Sequence, residues 1–312
     1  MEIEASLAGR ELVTLPQRLF SRIGIKSLDL SRNQIHEVPI ELSHLLNLKT
    51  LNLSKNKLDD KSFPPVLENL IFLEELNLAG NNLTEIPSFV MNLPRLKLLK
   101  LAENKITYIP SALLKVISLE RLYLGDNQLS SIPPKISDLT NLRLLSLANN
   151  KITNVPQQMK EMESLICLQL HNNRINFLPR GIVELENLED ISLRGNPLIN
   201  RFVREITYSP PSLLELAGRS VIHHQADTSK LPSSLKQRLS HAKCCPNPNC
   251  DGVYFDNLYR QIKFADFCGR YRMPLLQFLC SPQCMTPETD DSSASTDDES
   301  YNPRTMRRVL LG

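Results

Sequence analysis

No run of 18 or more apolar residues occurs in this chain, so the sequence contains no segment that reads as a membrane-spanning helix. The opening Met1-Glu2-Ile3-Glu4 lacks both a basic flank and an apolar core, so no signal peptide is expected. Charge of neither sign dominates. With 36 basic against 34 acidic residues, no bulk field favours nucleic acid or a membrane surface. The signatures of a phosphate-cradling loop, an H-E-x-x-H helix and a G-x-S-x-G elbow are all missing, and no general base pairs with a cysteine nucleophile. These absences point away from an enzyme and toward a cytosolic protein, with the nucleus as a second compartment.

What the chain has is a repeat. The frame L-x-x-L-x-L-x-x-N-x-L begins at Ile25, Leu48, Leu73, Leu96, Leu119, Leu142, Leu165 and Leu188. The spacing is 23 residues, except for one of 25 where Asp59-Asp60-Lys61-Ser62-Phe63-Pro64-Pro65 lengthens a turn. Alternation in L-x-L sends leucines to one side and the residues between them to the other, as in a strand. A lone coil cannot bury its leucines, whereas stacked coils can, at roughly 1.5–3 kcal/mol per buried side chain before ordering entropy is subtracted. Each frame supplies an asparagine: Asn33, Asn56, Asn81, Asn104, Asn127, Asn150, Asn173 and Asn196. An amide that donates and accepts can satisfy the peptide groups left unpaired where the backbone turns inward. Val38-Pro39, Ile86-Pro87, Ile109-Pro110, Ile132-Pro133, Val155-Pro156 and Leu178-Pro179 then predict irregular turns on the opposite side. The frames resemble the leucine-rich repeat family over about residues 25–200. That resemblance implies an α/β fold, a curved solenoid with a parallel sheet on its concave face.

The outward strand positions form the expected binding surface. Eight strands spaced about 4.8 Å apart span roughly 34 Å, enough for a standard protein interface. The middle of the face holds Leu98, Tyr123, Leu144 and Cys167 with small residues beside them, and Lys100, Arg121, Ser146, Gln169, His171 and Arg194 complete the expected surface. Exposed apolar groups ringed by polar ones suit a docking site for a protein substrate, whose identity the residues do not specify.

After the repeats, Pro210-Pro211 breaks the chain and Ser212 opens a helix, with Ser212 and Glu215 spaced as a capping box. Leu213, Leu216, Ala217 and Val221 fall on one helical face. The simplest use of that face is to pack back on the solenoid as a cap. Ser212, Leu213 and Val221 also resemble the elongin C-binding box of cullin-ligase receptors, (S/T/P)-L-x-x-x-C-x-x-x-(A/I/L/V), with Ala217 where cysteine is usual. Ten residues on, Leu231, Pro232, Leu235 and Leu239 match the cullin-2 box, φ-P-x-x-φ-x-x-x-φ. Ser233 and Ser234 depart from the cullin-5 form, L-P-φ-P. The pair of boxes implies elongin B/C and cullin-2 as partners.

Six of the seven cysteines lie between Cys244 and Cys284. In a chain that is not secreted, clustering favours a metal over disulfides. Cys245 with Cys250, and Cys280 with Cys284, form two hooks suited to a structural zinc ion; the alternative is a reduced module of buried thiols. Cys268 is either a competing ligand or a buried thiol, and Cys244 a bystander. A RING needs eight ligands, and His241 with the six cysteines makes seven without the usual spacing. Gly252-Val-Tyr-Phe255 and Gln261-Ile-Lys-Phe264 read as strands.

Leu193-Arg-Gly-Asn-Pro-Leu198, Arg201-Phe-Val-Arg204, Pro211-Ser-Leu-Leu-Glu-Leu-Ala217, Gly252-Val-Tyr-Phe-Asp256, Arg260-Gln-Ile-Lys-Phe264, Asp266-Phe-Cys-Gly269 and Val309-Leu-Leu-Gly312 closely resemble leucine-rich repeat proteins of the cullin-ligase substrate-receptor type. The expected organisation is an N-terminal cap (1–24), eight repeats (25–200), a box segment (201–240), a cysteine-rich module (241–285) and a disordered acidic, serine-rich tail (286–312). The basic-apolar end Arg307-Arg308-Val309-Leu310-Leu311-Gly312 is a further docking candidate. Two readings follow: a substrate receptor of a cullin-2/elongin B/C ubiquitin ligase, or a non-enzymatic repeat scaffold for a signalling protein.

Overall fold

The computed structural model describes residues 3–22, 24–198, 212–245, 247, 250–255, 259–267, 271–284 and 308–310. The chain divides into two compact units. The first comprises Met1–Asn176, Gly181–Leu198 and Asn302–Gly312; the second comprises Phe177–Arg180 and Ile199–Tyr301.

The first unit is built on one parallel sheet of ten strands. Its strands are β1 (Ile3–Ser6), β2 (Ile25–Asp29), β3 (Thr50–Asn52), β4 (Glu75–Asn77), β5 (Leu98–Lys100), β6 (Arg121–Tyr123), β7 (Leu144–Ser146), β8 (Cys167–Gln169) and β9 (Asp190–Ser192). The tenth strand, Arg308–Leu310, pairs with β9 and closes that edge of the sheet. Part of the tail expected to be disordered is therefore a strand, because an open sheet edge offers unpaired backbone groups that an extended peptide can satisfy. The rest of that tail, 286–307 and 311–312, lies outside the described residues.

The buried leucines are those the alternation marks: Leu28, Leu30, Leu51, Leu53, Leu76 and Leu78, with their counterparts in every later repeat. Proline shapes the opposite side. Pro39, Pro64, Pro87, Pro133 and Pro156, at φ between −56° and −70°, each precede a single 3-10 turn, where a regular helix would demand a donor that proline lacks. Between coils, each asparagine works as its chemistry allows. Asn127 Nδ2 donates to the carbonyls of Leu101, Leu124 and Gly125, while its Oδ1 accepts from the Ile106 amide, so one side chain ties two coils. The asparagines of the other repeats form the same contacts, and the ladder is structural.

One feature of the coil has no counterpart in the consensus. The residue before each ladder asparagine is left-handed: Arg32, Lys55, Glu103, Asp126, Asn149 and Asn172 at φ 54–57°, Gly80 at 69° and Gly195 at 70°. The turn that aims the asparagine inward demands this conformation of whichever residue stands there. At Gly195 space adds a second demand, because a Cβ there would lie 2.1 Å from Asn172 Oδ1.

Among the described residues the second unit holds two α-helices, α1 (Leu213–His223) and α2 (Ser233–Ser240). Its longest strands, Tyr259–Phe267 and Tyr271–Leu279, form an antiparallel pair extended by the short strand Leu178–Pro179. A smaller pair joins Lys243–Cys244 to Val253–Tyr254. The two strands expected from the sequence between the cysteine hooks thus exist but belong to different sheets.

Candidate docking faces and cysteine cluster

On the repeat face, the first outward position of each strand forms a register row running Glu75, Leu98, Arg121, Leu144, Cys167, Asp190. Leu98 does not serve as an exposed docking group, contrary to the sequence reading. It is only 5% exposed, because the guanidinium of Arg121 reaches over β5 to Glu75 (3.2 Å) and covers it. Ser146 is also buried, set in its row between Tyr123 and Gln169. Lys100, Arg121, Tyr123, Leu144, Cys167, Gln169 and His171 are half-buried, and Arg194 is exposed. Lys100 Nζ sits 5.7 Å from the centre of the Tyr123 ring, within range of a cation–π contact. Burial, followed by the charge of Asp190, pushes the Cys167 thiol up. His171 Nδ1 and Asp190 Oδ1 are buried without a hydrogen-bond partner. The face is thus more polar than its sequence suggests, with unsatisfied groups toward β9 that an incoming polar ligand would satisfy.

In the second unit, α1 starts where its cap dictates: Ser212 is extended (φ −65°, ψ 157°) and its hydroxyl accepts the Glu215 amide at 3.1 Å. The Glu215 carboxylate turns inward, to 1% exposure. There its Oε1 accepts from the Phe255 amide (2.9 Å) and from Arg219 Nε and Nη2 (3.0 and 2.8 Å). Arg219 Nη1 donates in turn to the Cys280 carbonyl at 2.8 Å. Gly218 lies on the same side, where a Cβ would come within 2.9 Å of the Phe255 ring.

The inward face of α1 is therefore Glu215, Gly218 and Arg219, and the leucines point out. Leu213 is 85% exposed, Leu214 49% and Leu216 47%; Ala217 is exposed as well, while Val221 is half-buried. In α2, Pro232 is the exposed N-cap, with φ −54° suited to a helix start. Leu231, Leu235 and Leu239 are half-buried, and Leu239 approaches α1 near Gly218.

Cys245, Cys250, Cys280 and Cys284 converge, with their four sulfurs all within 4.8 Å of one another. Cys250–Cys280 and Cys280–Cys284 are each 3.5 Å apart. Thiolates at about 2.3 Å around a tetrahedral metal would lie about 3.8 Å apart, so the cluster fits such an ion. The local backbone explains the convergence. Cys245 donates its amide to the Gly252 carbonyl (2.8 Å), and the Gly252 amide donates to Cys250 Sγ (3.2 Å), as expected of a ligand's outer support. A Cβ on Gly252 would come within 2.7 Å of Cys280 Sγ, so only glycine lets the backbone approach. Asn247 Nδ2 donates to the Cys284 carbonyl (3.1 Å) and ties the hooks together. Burial pushes the Cys280 thiol far up and raises Cys250. Cys284 is lowered, since hydrogen bonds from Ser281 and the neighbouring thiols outweigh its burial. Cys244 is exposed and outside the cluster; Cys268 lies outside the described residues.

No helix among the described residues is long and apolar enough to cross a membrane. Leucine-rich repeat family models match residues 24–45, 47–70, 72–129 and 140–198, with a two-copy form over 117–157. The chain is similar to leucine-rich repeat-containing protein 58 of Xenopus laevis, 51% identical over 121 residues, covering 37% of this chain and 35% of that one. To the mouse protein of the same name it is 44% identical over 126 residues, covering 37% and 34%. To the human one it is 56% identical over 89 residues, covering 28% and 24%. The chain thus spans about 35% of the length of such relatives. Among solved structures it resembles a leucine-rich repeat protein of Leptospira interrogans, with TM-score 0.55 and 32% identity over 61% of this chain and 54% of that one. It also resembles the repeat ectodomain of the plant receptor kinase GASSHO1/SCHENGEN3 of Arabidopsis thaliana, with TM-score 0.53 and 29% identity over 59% and 23%. With matched frames over more than half its length and the ladder in place, this chain belongs to the leucine-rich repeat family and is built as a protein-interaction scaffold.

Proposed function

We propose that the chain is the substrate-recognition subunit of a cullin-2/elongin B/C ubiquitin ligase. It is a cytosolic and nuclear adaptor that contributes no catalytic group of its own. The observation that carries this reading is the orientation of α1. A helix that served only as a cap would bury its leucines and expose its charges. Here Glu215 is buried while Leu213, Leu214 and Leu216 face solvent, which suits a helix held ready for a partner. Elongin C would take Ser212, Leu213, Leu216, Ala217 and Val221. Cullin-2 would take α2 through Leu231, Pro232, Leu235 and Leu239. The protein target would lie on the repeat face, around Lys100, Arg121, Tyr123, Gln169, His171 and Arg194, and be held near the ligase.

We also assign a structural zinc ion to Cys245, Cys250, Cys280 and Cys284. When bound it would supply the cross-link that a module this small needs, by holding both hooks as thiolates.

Co-purification of the full chain with elongin B/C tests the reading, with Leu213→Asp as the comparison. The wild type should capture the pair. The variant should lose capture by about tenfold or more while keeping its melting temperature, since Leu213 is 85% exposed. Folded wild type that captures no elongin would sink the receptor assignment. Joint replacement of Pro232 and Leu235 by alanine should then abolish cullin-2 recruitment with elongin capture retained; unchanged recruitment would reassign α2.

A further inference from the structure

The buried contacts of α1 lead toward the cysteine cluster. Glu215 is 1% exposed, and a carboxylate out of water persists only where donors surround it. Two of its donors come from Arg219, on α1 itself; another is the Phe255 amide, next after the strand Val253–Tyr254. That strand leaves the first hook directly: Gly252 bonds to Cys250 Sγ and to the Cys245 amide. Arg219 spends its remaining nitrogen on the carbonyl of Cys280, a residue of the second hook. A chain of polar contacts therefore links α1 to both hooks, beside the approach of Gly218 to Phe255 and Leu239, with Val221 and Ile222 half-buried.

From this geometry we propose that Glu215 and Arg219 are positioning residues through which a metal ion at the cysteine cluster fixes the docking face of α1. The proposal rests on the zinc and receptor assignments above and deepens both. With the ion bound, the hooks hold the Phe255 amide and the Cys280 carbonyl where the Glu215–Arg219 pair needs them. Without it, four uncrosslinked thiols let the hooks part, the buried carboxylate loses a fixed donor, and α1 is released with its leucines. Partner capture would then follow metal loading, although no leucine of the docking face touches the metal.

Hydrogen–deuterium exchange on the full chain tests the coupling without any partner. The protein would be compared as loaded with zinc, as stripped by a chelator under reducing conditions, and after zinc is returned. Stripping should speed exchange across 213–223 by about tenfold or more, leave 25–176 unchanged, and be reversed by zinc. Glu215→Ala should still carry about one zinc per chain by elemental analysis, yet exchange rapidly in α1 with or without the ion. Glu215→Gln keeps an oxygen for the Phe255 amide and should restore part of the protection, a graded rescue that loss of the fold would not show. Equal α1 exchange in loaded and stripped wild type would overturn the proposal, as would a wild-type chain that takes up no zinc. Elongin B/C capture, run in parallel, separates the assignments. Metal-dependent α1 exchange without any capture leaves the coupling standing and removes the receptor function. Capture that is indifferent to metal, with indifferent exchange, removes the coupling alone.

Discussion

Asn127 shows how much of this molecule hangs on single polar atoms. Two of its four hydrogen bonds join the coil of β6 to the coil before it and two close its own turn, and the residue is only 8% exposed. Replacing it with alanine leaves the Ile106 amide buried without that partner, while the Leu101 carbonyl loses one of two donors and keeps Asn104 Nδ2. At roughly 1–3 kcal/mol for the group left unsatisfied and about 1 kcal/mol for the bond lost at Leu101, Asn127→Ala should cost about 2–4 kcal/mol, read as a lowered urea midpoint. A loss below about 0.5 kcal/mol would mean that water or a shifted backbone takes over. The asparagine is legible in the sequence because its identity repeats. The left-handed residue before it is not, because arginine, lysine, glutamate, aspartate, asparagine and glycine all occupy that position. There the turn selects a conformation, and the side chain leaves no common trace. Leu98 was misread for a related reason. The arginine and glutamate that cover it lie 46 residues apart and meet only because the register aligns them.

At the scale of elements, the frames, the proline turns, the start of α1 and the four metal-spaced cysteines were all readable, since each follows from a local pattern. What was not readable is which side of an element faces inward when the usual rule is reversed. The apolar stripe of α1 predicts leucines inward, and Glu215 three residues after Ser212 predicts a carboxylate folded back on the cap. Contacts from Phe255, 40 residues away, draw that carboxylate into the interior instead. The hairpin around Gly252 carries a sharper element-level consequence. Its backbone passes so close to Cys280 that a methyl group would sit 2.7 Å from one sulfur and 3.0 Å from another. Gly252→Ala should therefore push the hooks apart and reduce bound zinc well below one ion per chain, by elemental analysis, without altering the repeats. Retention of full zinc would show that the hairpin shifts freely and that its approach to the sulfurs does not govern the site.

For the whole molecule, two compact units of different construction should respond to different insults. The repeat unit gains stability from each coil stacked on its neighbour and needs no ion. The cysteine module is small and gains most from a cross-link that only deprotonated thiols can make. Calorimetry of the zinc-loaded chain should then show two transitions, and a chelator should lower only one of them. The pH dependence follows from the thiols. Burial holds Cys250 and Cys280 above the ordinary thiol value, so without metal the folded module keeps those protons. That contribution is fully present below the unfolded thiol pKa near 8.5 and is lost as pH rises past it. Zinc reverses the sign, because it binds the thiolates and must displace the same protons. Stability of the loaded module should rise from acid to mild alkali while that of the stripped module is flat and then falls. Cys284, lowered by its hydrogen bonds, opposes this trend but is one thiol against two. The gap between the loaded and stripped transitions should therefore widen between about pH 5 and pH 8, where zinc meets less competition from protons. A gap that stays constant with pH would mean that the ion, if bound, is not held by thiolates. A single transition indifferent to chelator would mean that the four cysteines are no more than a buried cluster.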